Sequence, residues 1–117
     1  MLPRRTRDRL LDILEAIAKI EAYVQGMDRG AFTNDPRTVD AVTYNVQIIG
    51  EAASALETTL TDKYPEIPWI NIVRMRHRLV HAYFSVALGI VWDTVSSDLA
   101  PLKTAVQRML ATLPTKE

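Results

Sequence analysis

The fold is decided by the stretch DPRTVDAVTYNVQIIGEAASALETTL, residues 35–60. Asp35 followed by Pro36 is typical of a helix start, because aspartate caps free backbone N–H groups and proline is tolerated at the first helical position. Apolar residues then recur at alternating intervals of three and four, which places them on one helix face. They are Val39, Val42, Val46, Ile49, Ala53, Leu56 and Leu60. The pattern predicts a long helix with one buried face.

The same spacing continues on both sides of this stretch. Before it, a helix with an apolar seam is predicted, and a polar loop over Gly26–Asp35 ends that helix. The seam consists of Leu10, Ile13, Ile17, Ile20, Val24 and Met27. After it, Pro65 and Pro68 bracket a short connection, and a third helix is predicted from about Trp69 to Tyr83.

A fourth helix is predicted from about Val86 to Leu113, with a kink at Pro101, because proline removes one hydrogen bond and clashes with the preceding turn. Its inward-facing residues are Leu88, Val91, Val95, Leu99, Leu102, Val106 and Met109. No strand-like alternation or internal repeat occurs. The sequence predicts one all-α domain over residues 1–117, an antiparallel four-helix up-and-down bundle with a shorter third helix and a long, kinked fourth helix.

Composition limits the possible functions. Lys and Arg together number 14, as do Asp and Glu, so the net charge is zero and any nucleic-acid site must come from local clustering. The absence of cysteine excludes disulfides and is compatible with the cytoplasm, where we expect the protein to act. The uncharged run Leu79–Trp92 is too short to span a bilayer, so no membrane association is expected.

The segment RHRLVHAY, residues 76–83, carries the candidate chemistry. Arginine holds phosphate oxygens through paired N–H donors, and histidine exchanges protons near neutral pH. No acidic residue occurs between Glu66 and Asp93, whereas three arginines surround the two histidines. This local positive charge indicates an anionic ligand, and RNA fits that description.

A helical wheel places Arg76 near the middle of the apolar arc of the third helix and His81 about 140° away. A buried, unpaired charge costs several kcal/mol, so Arg76 is expected to meet an anion, a cluster of carbonyl groups or a second chain. One straight helix cannot direct both residues at one phosphate. Either the helix ends or bends near His81, or a second copy of the chain supplies the missing group.

The motif, which is Arg, four residues, His, one residue, Tyr, resembles the HEPN superfamily when it is taken with the helical layout. The resemblance is closest to the HepT-like toxins. The segments IIGEA (residues 48–52), YPEIPW (residues 64–69) and LVHAYF (residues 79–84) also look like that family. The resemblance implies a small all-α homodimer that acts as a ribonuclease toxin and is encoded beside a minimal nucleotidyltransferase antitoxin.

The resemblance also implies roles for individual residues. Arg76 and His81 match the catalytic pair, and Tyr83 matches the tyrosine that the antitoxin adenylylates. His77 is a polar neighbour of the site, and Glu51 is either a surface charge or a group that orients Arg76 or a histidine. The implied reaction is metal-independent cleavage of RNA, possible substrates including tRNA, by its own 2′-hydroxyl, so neither a metal nor another cofactor is expected.

Other interpretations remain at this stage. Arg76 can be a structural arginine paired with a buried carboxylate such as Glu51, His81 can interact with the last carbonyls of its helix, and Tyr83 can be a core residue. His77 and His81 have the spacing of a zinc pair, but no cysteine or further histidine completes such a site. The alternative functions are a non-catalytic HEPN module that binds nucleotide, RNA or protein, and a purely structural dimerisation bundle.

Overall fold

The computed structural model describes the backbone of residues 5–81 and 84–114 and, within these ranges, all side chains outside residues 80–87. The described residues form seven helices and no strand. The helices are α1 (Thr6–Tyr23), α2 (Arg29–Thr33), α3 (Pro36–Ser54), α4 (Thr58–Thr61), α5 (Trp69–His81), α6 (Phe84–Ser97) and α7 (Leu99–Thr112). The predicted all-α bundle is confirmed, with α1, α3, α5 and the α6–α7 pair as its four long members.

Helix α3 is central to the packing. Its apolar stripe is buried, as predicted, and it packs against both α1 and α5, while α1 also packs against α7. Asp35 caps the helix, because its carboxylate accepts hydrogen bonds from the backbone N–H of Thr38 at 3.2 Å and from the Thr38 hydroxyl at 2.9 Å. These bonds favour the ionised carboxylate and therefore lower the pKa of Asp35. The cap signal in the sequence thus marks the true start of α3.

Two predicted boundaries are wrong. The polar loop after the first helix contains α2, which Asp28 caps by accepting a hydrogen bond from the Ala31 N–H at 2.8 Å. Phe32 of this helix is fully buried, and its ring centre lies 5.2 Å from that of Trp92. The helix predicted to reach Leu60 stops at Ser54, and after an extended residue, Glu57, the separate helix α4 begins. Such short helices depend on tertiary packing, which a periodic pattern does not contain.

The predicted fourth helix is divided at Asp98, three residues before Pro101. Pro101 is the third residue of α7, where its missing N–H leaves the carbonyl of Ser97 without the usual donor. Hydrogen bonds from Asp98 N–H to the Thr94 carbonyl and from Leu102 N–H to the Asp98 carbonyl still connect the two helices. Burial and the nearby charge of Asp93 raise the pKa of Asp98. The predicted kink is therefore confirmed, and it lies one turn before the proline.

Within the described ranges, no helix combines the length and the apolar character needed to cross a membrane.

Candidate RNA-cleaving site

The start of α5 is held by the turn over residues 64–69. The carbonyl of Tyr64 accepts hydrogen bonds from the backbone N–H of Ile67 at 3.1 Å and from the indole Nε1–H of Trp69 at 3.0 Å. Ile67 is buried, and the carbonyl of Pro68 accepts the first helical hydrogen bond, from the N–H of Ile72. The turn therefore fixes both the position of α5 and the rotation of its residues about the helix axis.

Gly50 sets the distance between α3 and α5. A Cβ added to Gly50 would lie 3.1 Å from the carbonyl oxygen of Ile72 and 3.5 Å from the Cβ of Arg76. The first distance is tighter than ordinary carbon–oxygen contact, so a larger residue would push the helices apart. The close approach places the IIGEA segment directly against Arg76. Two segments that are far apart in the sequence are therefore in contact in the fold.

The structure corrects the expected environment of Arg76. The residue is exposed, although the helical wheel placed it in the apolar arc. Only its base lies at the contact with Gly50, and a long arginine side chain can extend from such a position to solvent. This side of α5 is also less covered by neighbouring helices than the wheel implied, because Trp69 and Val73 are only half-buried.

The proposed structural pairing of Arg76 with Glu51 is not found. Glu51 is exposed rather than buried, and no ion pair or hydrogen bond within the described part of the chain joins the two side chains. The predicted role of Glu51 in orienting a histidine stays a prediction. Arg76 is consequently an exposed cation without an ion pair among the described residues.

The rest of α5 adds positive charge around this residue. Arg74 and Arg78 are exposed, and the helix contains no acidic residue. The predicted local basic region is therefore a real feature of the surface. Among the described side chains, no group of three or more histidine, aspartate or glutamate residues is arranged to hold a metal ion.

His81 is the last residue of α5. Its backbone is described, and its side chain lies outside the described part of the structure. Tyr83 lies outside the described residues altogether. Their predicted roles in proton transfer and in adenylylation therefore remain predictions. The structure does define the helix that carries both residues: Arg76 lies on α5, and His81 follows about one and a half turns later.

Comparison with known proteins adds an independent observation. Residues 13–109 match the family model described as "Ribonuclease HepT-like". The chain belongs to the HepT-like ribonuclease family. The family assignment predicted from the sequence is thus confirmed, and with it the enzyme class, ribonuclease.

Curated relatives agree with this assignment. The chain is 37% identical over 108 residues to a protein of Thermococcus cleftensis with the printed name "Probable ribonuclease HepT", a match that covers 92% of this chain and 98% of that protein. It is also 37% identical over 86 residues to a protein of Methanocaldococcus jannaschii that is named as a candidate RNase, covering 74% of this chain and 71% of that protein. No solved structure matches.

One surface feature of this HepT-like chain was not foreseen. Ile70 is 65% exposed at the start of α5 and lines a groove, in a region where the sequence predicted only a connection and a helix start. The available signal was the register of Ile70, which falls on the polar side of the helix. An isoleucine on the polar side of a helix cannot pack into the core and remains exposed.

Proposed function

We propose that this protein is the toxin of a type VII-like toxin–antitoxin pair and acts in the cytoplasm as a metal-independent endoribonuclease. The observation that carries the proposal is the state of Arg76: an exposed guanidinium, without an ion pair among the described residues, on a helix that has no acidic residue. A surface arginine with only a structural role would gain most from a carboxylate partner. An unpaired one beside further arginines is suited to a phosphate group.

In the proposed reaction, the 2′-oxygen of a ribose attacks the adjacent phosphorus, and the bond from phosphorus to the 5′-oxygen of the next nucleotide breaks. The products are a 2′,3′-cyclic phosphate and a free 5′-hydroxyl. His81 is the candidate for proton transfer, as a base toward the 2′-hydroxyl or as an acid toward the leaving oxygen. Arg76 stabilises the additional negative charge on the phosphate oxygens in the transition state.

The proposed active form is a homodimer. Arg76 and His81 are about 140° apart on an ideal helix, so a single α5 does not direct both toward one phosphate without a change of direction at its end. Two α5 helices related by twofold symmetry bring two Arg–His sets to one cleft, where one histidine can accept a proton and the other can donate one. Measurement of the molar mass in solution tests the dimer directly.

The cleavage chemistry has a direct test. Purified protein in excess EDTA is expected to cut single-stranded RNA and to leave 2′,3′-cyclic phosphate ends, which mass spectrometry identifies. Methylation of the 2′-oxygens should abolish cleavage, because it removes the nucleophile. Cleavage that stops in EDTA and returns with added Mg²⁺ would contradict the metal-independent mechanism. Binding of RNA without any cleavage would favour the alternative, a non-catalytic HEPN-like module.

Control by a partner is the second part of the proposal. A cognate minimal nucleotidyltransferase would transfer AMP from ATP to the Tyr83 hydroxyl and release pyrophosphate. The attached phosphate is negatively charged and would lie on the segment that carries His81 and Arg76, where it would compete with RNA phosphates for the arginine. We expect modification of Tyr83 to silence the enzyme.

Replacement of Tyr83 by phenylalanine is expected to leave RNA cleavage active but to make it insensitive to the antitoxin and ATP. Intact-protein mass spectrometry should show an added AMP group on the wild type and none on Tyr83→Phe. The matched control is Tyr44→Phe, because Tyr44 is 65% exposed on α3 and offers an accessible hydroxyl elsewhere. Equal modification and equal silencing of Tyr83→Phe would exclude Tyr83 as the acceptor.

A further inference from the structure

A surface groove lies beside the first turns of α5. Its volume is about 910 Å³, within the range of small-molecule sites. Its walls come from the end of α3, from α4 and the connection after it, and from α5. The lining is mostly apolar and includes Leu56, Ile67, Trp69, Ile70, Val73 and the basic residue Arg74.

The groove has a mostly apolar surface with a positively charged residue, Arg74, in its lining. The polar edge of the Trp69 indole is already satisfied, because Nε1–H donates to the carbonyl of Tyr64 at 3.0 Å. Arg74 is exposed and is followed one turn later by Arg78, while Asp62 is the acidic residue of the opposite wall. A mostly apolar groove with Arg74 in its lining suits a ligand that carries a ring beside a phosphate.

The groove is also aligned with the candidate catalytic histidine. Ile70, Arg74, His77 and His81 are separated by four, three and four residues, so on an ideal helix they form one narrow stripe along α5. The described members, Ile70, Arg74 and His77, are all exposed. The eleven residue steps from Ile70 to His81 correspond to about 17 Å along the axis of an ideal helix. A stacked nucleic-acid strand rises about 3.4 Å per nucleotide, so this distance spans at most about five nucleotides.

We propose that the groove binds one nucleobase of the RNA substrate, within about five nucleotides of the cleaved phosphate. In this arrangement the base lies against Ile70 and the apolar wall, Arg74 contacts an adjoining phosphate, and the strand runs along α5 toward His81. The inference rests on the proposed ribonuclease function and adds a specificity element to it. The site would select single-stranded RNA, because a paired base cannot leave its helix to enter a side groove without breaking the pair.

The test uses short single-stranded RNAs with methylated 2′-oxygens, which bind but cannot be cut, each with one abasic nucleotide at a different position. For the wild type, one abasic position near the cleavage site should weaken binding by about fivefold or more, since stacking of a base on an aromatic side chain, such as the Trp69 that lines the groove, contributes on that scale. Ile70→Ser should bind the intact RNA more weakly than the wild type does and should show a smaller abasic effect at that position, because it removes one apolar face of the base site. Leu11→Ser is the matched control, because Leu11 is 48% exposed on α1 and does not line the groove.

Arg74→Ala gives a second readout that does not depend on the apolar wall. Loss of one phosphate contact should reduce the slope of log affinity against log salt by about 1. Circular dichroism should show that Ile70→Ser and Arg74→Ala melt as the wild type does, since both side chains are exposed.

The outcomes are distinguishable. An unchanged abasic profile in Ile70→Ser, or no abasic effect in the wild type, overturns the inference. A change of molar mass in Ile70→Ser with an unchanged abasic profile also overturns it and assigns the groove to a second copy of the chain. Position-specific binding without cleavage of unmodified RNA supports the base site while contradicting the proposed nuclease activity.

Discussion

Replacement of His81 by alanine is expected to lower the rate of RNA cleavage by about 10²- to 10⁴-fold, the usual contribution of a side chain that transfers a proton in the transition state. The imidazole is the only ordinary side chain whose unperturbed pKa lies near neutrality, and the chain contains only one other histidine, His77. The measurement is the single-turnover rate on a labelled RNA with enzyme in excess, which separates cleavage from product release.

The control for His81→Ala is Gln107→Ala, an exposed polar residue of α7 that is distant in sequence from the motif. Both variants should keep the helical circular dichroism and the molar mass of the wild type. Mixed dimers of wild-type and His81→Ala chains add a sharper result. If the two histidines divide the acid and base roles, these dimers should retain little activity. Full activity with a single histidine would contradict that division, and unchanged cleavage by the His81→Ala homodimer would remove His81 from the mechanism.

Replacement of Arg76 by alanine is expected to reduce cleavage by about 10²- to 10³-fold without lowering the stability of the fold. The first effect follows from loss of a group that stabilises transition-state charge, which contributes on this scale in other enzymes. The second follows from the structure, because Arg76 is exposed and has no ion pair with a described residue. Thermal unfolding and the single-turnover rate, measured on the same preparation, test both.

Arg76→Lys separates charge from geometry. Lysine restores a positive charge but not the paired donors of a guanidinium, so it should recover only part of the lost rate. Arg108→Ala is the matched control, since Arg108 is an exposed arginine on α7. A marked fall in melting temperature for Arg76→Ala alone would indicate a structural arginine, as the dimerisation-bundle interpretation requires. Normal cleavage by a folded Arg76→Ala would exclude it from catalysis.

Much of the fold was predictable from local chemistry. The cap and proline at Asp35–Pro36 mark the start of α3 correctly, and the alternating apolar stripe that follows is buried. The kink near Pro101 was predictable because a proline inside a long helix removes one hydrogen-bond donor and clashes with the preceding turn. The two short helices, α2 and α4, were not predictable in this way. They contain too few residues to show a period, and α2 is stabilised by a contact that only the fold creates, Phe32 on Trp92.

The candidate site was also predictable only in part. The motif, the helical layout and the segments IIGEA, YPEIPW and LVHAYF are properties of the linear chain, and together they were sufficient to indicate the family. The exposure of Arg76 was not, because an ideal wheel treats every apolar position as equally covered. In the folded protein the coverage of α5 is set by neighbouring helices, and its flank at Trp69 and Val73 borders an open groove.

The linear chain therefore determined where the long helices lie, which face of each is apolar, and which side chains can bind phosphate and transfer protons, because these depend on spacing and residue type. The tertiary structure decided that Gly50 brings the IIGEA segment against Arg76, that the guanidinium reaches solvent, and that an apolar groove opens beside α5. These features depend on the distance and rotation of one helix relative to another. That geometry arises only from the packing of the whole core, in which each side chain must fit the space left by residues distant in sequence.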